Sequence, residues 1–387
     1  MKGLSLFANV GVAETYLENL GIDMVLANEI DPKRAKFYKH LYPSTEMIEG
    51  DITDNKIYNK VVSKALDYNV NFVIATPPCQ GMSTAGKKND LDPRNQLVSY
   101  AIDIIKELKP AFVLLENVPQ QLKTKIEFDG EYMLIPKYIK YQLEDIYLFN
   151  NDPIIDCANY GVPQTRQRSI FLLTRKDIGN RWEFPKQNNK IVTLKEAIGD
   201  LPSLDPLIYD VSYEKHLSVF PEYEKKMEEA EKVSKWHTPP KHIYRQVMAM
   251  RYTPTGKSAF QNEKIEHRPH TKDGRIVKGY KNTYKRQSWD RPAYTVTMYN
   301  RTIGSQDNVH PGRPIGLDNN GYMIYSDPRV LTIYELLKVM SLPTDWNIPE
   351  WASEHFIRQV IGEGIPPLLV KQIVSQIVEN EEFNIAI

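Results

Sequence analysis

Asn71-Phe72-Val73-Ile74-Ala75 runs directly into Thr76-Pro77-Pro78-Cys79-Gln80-Gly81-Met82-Ser83. The apolar run is short, rich in β-formers and closed by a turn signal, the pattern of a strand buried on both faces. Two prolines fix the backbone before the cysteine and Gly81 permits a sharp turn after it, so Cys79 is held at a strand's carboxyl end. Its polar, turn-rich flank suits a partly exposed thiolate, the form of cysteine that attacks carbon.

The rest of the first half repeats this theme. Apolar runs at Gly3 to Ala8, Met24 to Asn28, Ala111 to Leu115 and Ser169 to Thr174 alternate with amphipathic stretches at Ala13 to Leu20, Pro32 to Leu41, Lys56 to Tyr68 and Gln96 to Leu108. Strands joined by helices predict a doubly wound, parallel α/β sheet, which takes its ligands beyond the carboxyl ends of its strands. After about Arg175 the chain turns polar, proline-bearing and aromatic-interleaved, with one charged helical stretch from Tyr213 to Trp236. Periodicity returns at Leu331 to Met340 and Pro366 to Glu379. These breaks predict an α/β unit over residues 1–180, completed by 355–387, and a smaller irregular unit over 181–354. A chain of 387 residues exceeds the usual span of one core.

Apolar residues make up 41% and charged residues 25%, so the chain is expected to fold. No apolar run approaches the roughly 20 residues of a spanning helix, and Met1-Lys2-Gly3-Leu4 leads into a strand instead of a secretion signal; a soluble, cytoplasmic protein is expected. The two cysteines, Cys79 and Cys157, exclude a disulfide framework and a cysteine-rich zinc site, and no metal is expected. Cys157 reads as an inert small hydrophobe. Formal net charge is zero, yet residues 235–301 hold fifteen Lys or Arg against four Asp or Glu. A basic segment on an acidic body suits a grip on a polyanion from one side, with a solvated basic surface as the plainer alternative.

Phe7-Ala8-Asn9-Val10-Gly11 closes the first strand, and Glu29 closes the second, eighteen residues after Gly11. A small-residue turn lets backbone approach a ligand, and an acid at that distance can accept from ribose hydroxyls, so a nucleoside-containing cofactor is expected. Asn9 and Val12 interrupt a full glycine pattern, which disfavours a dinucleotide. Asp51, after Gly50, ends a third strand and can accept from the adenine amino group. The strand Ala111 to Leu115 delivers Glu116-Asn117-Val118-Pro119 at the same edge as Cys79. An acid protonated by a low-dielectric pocket can hydrogen-bond a heterocycle's ring nitrogen and assist addition to the ring. In Gln164-Thr165-Arg166-Gln167-Arg168 the alternating arginines of an extended segment point one way, towards phosphate or a ring carbonyl.

In order and content these segments resemble the DNA cytosine-5 methyltransferase family of the prokaryotic restriction-modification type, from Gly3 to about Val374. Phe7 to Gly11, Glu29, Asp51, Pro78-Cys79-Gln80, Glu116-Asn117-Val118 and Gln164 to Arg168 are similar to successive motifs of that family. Arg291-Pro292-Ala293-Tyr294-Thr295 resembles the one that supports the recognition domain, and Gly362-Glu363-Gly364-Ile365-Pro366-Pro367 the last one. Asn9 and Val12 stand where glycines are usual, and Glu363 where asparagine is usual.

The resemblance implies a Rossmann-like S-adenosylmethionine-dependent methyltransferase domain with a smaller target-recognition domain. It implies S-adenosylmethionine as cofactor, S-adenosylhomocysteine as its product, no metal, and a double-stranded DNA substrate whose target cytosine is flipped out of the helix. Cys79, Glu116, Arg166, Arg168 and Gln164 become the catalytic residues. Phe7, Ala8, Asn9, Val10, Gly11, Glu29, Ile30, Asp51, Ile52, Pro77, Glu363, Gly364 and Ile365 become the cofactor pocket. Gln80, Ser83, Arg245, Arg251, Lys257, Arg268, Arg275, Arg291 and Thr295 become DNA contacts, with the loop from Gly81 to Asn95 expected to close over the base. Trp236, Tyr244, Tyr252 and Tyr280 are expected in the small domain's core. A monomer is implied, serving either as an orphan methylase or as the partner of a restriction endonuclease.

Two other readings stay open. Transfer RNA is the substrate of one branch of the family, which carries an additional cysteine in its recognition region; residues 158–387 contain none. A non-catalytic DNA-binding protein on the same fold would have no need of Cys79, Glu116, Arg166 and Arg168 together.

Overall fold

The structure, a computed structural model, describes residues 1–78, 92–280, 282–306 and 308–379. Cys79, Gln80, Ser83 and most of the Gly81 to Asn95 loop lie outside the described residues.

The strands are β1 (Lys2–Leu6), β2 (Asp23–Glu29), β3 (Glu46–Glu49), β4 (Phe72–Ala75), β5 (Phe112–Asn117), β6 (Lys125–Phe128), β7 (Glu131–Leu134), β8 (Tyr147–Phe149), β9 (Ile154–Asp156) and β10 (Gln167–Arg175), followed by the short β11 (Leu207–Ile208), β12 (Lys241–His242), β13 (Pro314–Leu317) and β14 (Met323–Tyr325). The helices are α1 (Pro32–Leu41), α2 (Asn55–Asp67), α3 (Leu97–Leu108), α4 (Ile135–Leu143), α5 (Leu194–Ile198), α6 (Tyr213–Val219), α7 (Tyr223–Val233), α8 (Tyr244–Arg251), α9 (Ile333–Val339), α10 (Glu354–Glu363) and α11 (Pro367–Val378).

The main sheet has the order β3-β2-β1-β4-β5-β10-β8, with β9 also paired to β10. β1 to β5 are parallel, as expected from strands joined by helices. β10 departs from the expectation: it runs antiparallel to β5 and to β8. β8, which follows α4, takes the next parallel position one place out, and β10 inserts into the gap between it and β5. The antiparallel insertion has a functional consequence. It brings the amino end of β10, with Arg168, to the edge where the parallel strands end.

Alternation along the strands divides the core. Leu4 and Leu6 of β1 and Val73 of β4 pack with α2, α3 and α4 on one face. Phe72 and Ile74 of β4 pack on the other with Trp182 and with Leu369, Val370, Ile373 and Val374 of α11. The indole of Trp182 donates to the Ile373 carbonyl at 2.9 Å, so the last helix is pinned to the first sheet by a buried polar contact as well as apolar area. A separate cluster gathers Ile208, Val219, Phe220, Val247, Met250, Tyr284, Ile303, Val309 and Val330. A fourth joins Val10, Val12 and Phe37 to Leu336, Leu337, Ile357 and Ile361, so α9 and α10 share a core with the first loop.

Two expected helices differ. Residues after Gly11 form turns and a single 3₁₀ turn, Glu18–Leu20, where a helix from Ala13 is expected. Leu17 N–H bonds Glu14 O and Leu20 N–H bonds Leu17 O, an i→i+3 pattern that tightens the chain and turns Glu14 inward. The charged stretch from Tyr213 is two helices, broken where Phe220 caps α6 and Pro221 follows.

Candidate active site

The strand order reverses between β2-β1 and β4-β5, which opens a crevice at the carboxyl ends of β1 and β4. A cavity of about 260 Å³ lies there, far larger than an ordered water needs. Phe7, Ala8, Asn9, Glu29, Ile30, Asp51, Ile52, Pro77, Glu363, Gly364 and Ile365 all line it, as do Glu116 and Arg168. Val10 and Gly11, expected there too, do not. Val10 is sealed in the cluster shared with α9 and α10, and Gly11 turns the chain at φ +80° with its N–H on Ala8 O. Ser5, Glu14, Asn28, Arg34, Leu97 and Met298 also line the cavity and were not anticipated.

The first loop carries backbone strain where it meets the cavity. Phe7 sits at φ +58° and Asn9 at φ +50°. Asparagine tolerates the left-handed region better than other side-chain-bearing residues, which accounts for Asn9 where a glycine is usual. Glu29 braces this loop. Its two carboxylate oxygens accept from the N–H groups of Asn9 (2.8 Å) and Asp31 (2.9 Å). Burial raises its pKa, opposed by those two bonds.

Two of the three departures from the glycine and asparagine pattern meet directly, and the third, Val12, packs on the neighbouring Gly364. Asn9 Nδ2 donates to Glu363 at 2.9 Å, and Glu363 pairs with Arg34 of α1 at 2.9 Å. Val12 packs on Gly364 so closely that a Cβ there would lie 2.7 Å from Val12 Cγ1. The first loop and the last motif are thus matched in shape and charge, which makes the unusual residues mutually consistent.

Glu116 and Arg168 form the most enclosed ion pair on the cavity, Nε to Oε1 2.7 Å, with side chains 12% and 9% exposed. The register of β5 and β10 explains it: Ile170 faces Glu116 and Ser169 faces Asn117, so Arg168 falls just past the end of β5. Burial pushes the Glu116 carboxyl above its ordinary value, while Arg168 and then Arg166 pull it back. Asn117 donates to the Pro77 carbonyl at 3.1 Å, tying the end of β5 to the proline turn before Cys79.

Arg166 stands differently from the expectation that it faces substrate, and Gln164, expected to order the site, lies beside it with Oε1 3.4 Å from the guanidinium. Arg166 is 2% exposed, and its guanidinium donates to the carbonyls of Val296, Gly362 and Gly364 at 2.6, 2.9 and 2.8 Å. Gln164 accepts from Val296 N–H at 2.9 Å and pairs with Ala293 through a backbone bridge. Both clamp the Arg291–Thr295 segment and the last motif against β10. Cys157 is fully buried, its thiol pushed up to about 12 chiefly by that burial, in keeping with an inert role.

The basic segment divides. Arg245, Lys257, Arg275 and Arg291 are exposed. Arg251 instead donates to Val219 O and lies over the Phe220 ring, and Arg268 donates to Asn262 O, so both guanidinium groups brace their own fold. Arg286, counted in the basic excess, is wholly buried among four carbonyls. Thr295 is exposed but its hydroxyl donates to Thr165 O. Of the aromatics expected in the small domain's core, Tyr244 packs on that domain's cluster and Tyr252 stacks on His267, whereas Trp236 packs on the cluster shared with the first loop and Tyr280 is 79% exposed. Among the described residues no helix is long and apolar enough to cross a membrane.

A doubly wound sheet with a nucleoside-sized cavity at its switch point, and a buried acid–arginine pair beside it, defines an α/β enzyme that works on a ligand held at the strand ends. The family model for C-5 cytosine-specific DNA methylases matches residues 1–379, and the chain belongs to that family. Type II methyltransferase M1.HgaI of Avibacterium volantium is 43% identical over 382 residues, covering 97% of this chain and 98% of its own length. M.XorII of Xanthomonas oryzae pv. oryzae is 26% identical, covering 97% and 84%. Among solved structures, a protein described as a DNA modification methyltransferase encoded within an E. coli prophage superposes with a TM-score of 0.62 at 18% identity, over 98% of this chain and 99% of that one. Entamoeba histolytica EhMeth gives 0.59 at 15%, over 97% of each. These last two likenesses concern the fold.

Proposed function

We propose that this chain transfers a methyl group to carbon 5 of cytosine within a specific sequence of double-stranded DNA, with S-adenosylmethionine as donor. The observation that carries the reading is the buried Glu116–Arg168 pair on the same cavity as Glu29 and Asp51. Cytosine carbon 5 is too weak a nucleophile to take a methyl group unaided, and addition of a thiolate at carbon 6 makes it reactive. Cys79 is the thiolate. It lies outside the described residues, but Pro77 and Pro78 immediately before it line the cavity. Glu116, biased towards its protonated form by burial, donates to ring nitrogen 3 as carbon 6 is attacked. Arg168 orients Glu116 and offers its remaining donors to the cytosine carbonyl. When the carbon 5 proton leaves, the carbon–sulfur bond breaks and the thiolate is regenerated.

The cavity's residues suit the donor. Glu29 and Asp51 supply carboxylates for ribose hydroxyls and the adenine amino group, Ile30 and Ile52 supply apolar walls, and Asn9 Oδ1 is buried with nothing donating to it among the described residues. When bound, S-adenosylmethionine supplies an electrophilic methyl. Because carbon 6 is inaccessible in a stacked duplex, the base must rotate out, at a cost of a few kcal/mol. Residues 181–354 serve as the recognition unit, with the exposed Arg245, Lys257, Arg275 and Arg291 as its contacts to phosphates or guanine edges. The 43% identity to a Type II methyltransferase supports a modification role paired with a restriction endonuclease.

The test is incubation with labelled S-adenosylmethionine and either genomic DNA or transfer RNA, repeated with Cys79→Ala. Label in DNA that vanishes with Cys79→Ala is expected. Label in RNA alone overturns the DNA assignment, and label in neither leaves a binding protein.

A further inference from the structure

Glu14 has no part in the chemistry above, yet it is 3% exposed and lines the cavity. The inward turn after Gly11 delivers it there. Its Oε1 accepts the hydroxyl proton of Ser5 from β1, and among the described residues nothing donates to its Oε2. A buried carboxylate oxygen without a donor is costly unless a ligand completes it.

We propose that Glu14 is the acceptor for the α-ammonium group of the methionine arm of S-adenosylmethionine, an inference that rests on the donor assignment made above. The nucleoside end of the cavity is already furnished with Glu29 and Asp51. A ligand whose other end carries a fixed positive charge matches the buried acid whose second oxygen has no donor among the described residues. Glu14 is a binding residue that anchors the arm and so fixes the sulfur relative to the cytosine pocket. In the free enzyme burial raises its carboxyl to about 7, so the proton must leave as the ammonium arrives. The titratable groups beside it are the phenols of Tyr38 and Tyr42, both pushed upward by burial and neutral near pH 7. The cavity's other charged groups are engaged elsewhere: Glu29 with two backbone N–H groups, Arg34 with Glu363, Glu116 with Arg168, and Asp51 with Thr53 N–H.

Calorimetric titration of the full chain tests this with two probes, S-adenosylhomocysteine and its deaminated analogue, which keeps the sulfur and carboxylate but lacks the ammonium. The wild type is expected to bind the analogue about 10–100-fold more weakly, the range of a charge-assisted hydrogen bond. Glu14→Gln is expected to lose a similar factor for S-adenosylhomocysteine and to bind the analogue as the wild type does. Equal losses for both probes, or none for either, overturn the role of Glu14. Failure of the wild type to bind S-adenosylhomocysteine at all overturns the donor assignment instead. Should Glu14→Gln not fold, the wild type alone decides. Its affinity for S-adenosylhomocysteine is expected to rise between pH 6 and 8 while that for the analogue does not, and parallel pH profiles contradict the proposal.

Discussion

Substituting Gly364 by alanine isolates the match between the first loop and the last motif. Gly364 has φ −65° and ψ 157°, a backbone conformation open to any residue, so alanine adds no strain of its own. What the methyl meets is Val12: Cγ1, Cβ and Cγ2 would lie 2.7, 2.8 and 3.0 Å away. Val12 is 3% exposed and belongs to a packed cluster, so it cannot step aside into solvent. Overpacking of this kind costs roughly 1–3 kcal/mol, a fall in melting temperature of about 1–4 °C for a chain of 387 residues. Val12→Ala alone is also expected to destabilise, because it leaves a cavity. In the double variant the contacts to Cγ1 and Cγ2 are gone and only the Cβ contact at 2.8 Å is left, so part of the overpacking is relieved. The two effects should therefore fall short of additivity by at least about 1 kcal/mol. Urea unfolding of the four proteins measures the stabilities, and titration with S-adenosylhomocysteine measures the cavity. Costs that add within about 0.5 kcal/mol would refute direct packing of Val12 on Gly364.

Other expectations follow from the same contacts. Glu116→Gln keeps the shape of the acid but has no acidic proton to share with ring nitrogen 3; kcat should fall about 10²–10⁴-fold with little change in cofactor affinity, measured by steady-state methylation and titration. Glu14, raised from 4.5 to about 7 by burial, binds its proton more tightly in the folded chain. Its contribution is therefore complete below about pH 4.5 and is lost as pH rises to about 7, on the order of 3 kcal/mol; cofactor-free Glu14→Gln should lack that slope in urea unfolding. Arg329 is fully buried and makes two bonds to Glu335 and one to Asp327, all 2.8–2.9 Å, so Arg329→Met strands two carboxylates and should cost about 3–5 kcal/mol by the same assay. Arg291→Ala, at an exposed site, should weaken DNA binding and flatten its salt dependence without moving the melting temperature.

The α/β order was readable because buried strands are short and apolar and α1 carries its own start signal, Asp31-Pro32, which caps Lys33 and Arg34 N–H groups. The direction of β10 was not readable. It is a continuous run buried on both faces, as the parallel strands are, and only the space left between β5 and β8 makes it antiparallel. The stretch from Ala13 reads as an amphipathic helix between two strands, but the contact of Glu14 with Ser5 and the 3₁₀ bonding after it depend on a neighbour strand. Glu29, Asp51 and Glu116 were visible as acids at strand ends, whereas Met298 and Arg34 carry no local signal and reach the cavity through tertiary packing. Charge counting overstated the basic face for a similar reason: Arg251 and Arg286 look like phosphate ligands in sequence but satisfy carbonyls inside the fold. Arg166 is the sharpest case, since an arginine two residues from the ion-paired Arg168 spends its donors holding distant segments together.

The central chemistry is tested most directly by trapping. Bisulfite sequencing of plasmid methylated by the enzyme gives the target site, and a duplex with 5-fluorocytosine at that site then blocks loss of the group at carbon 5. With S-adenosylmethionine present, a denaturation-resistant protein–DNA complex is expected, and peptide mapping should locate the bond at Cys79. Absence of the complex, or a bond through any other residue, would contradict covalent catalysis by that thiol.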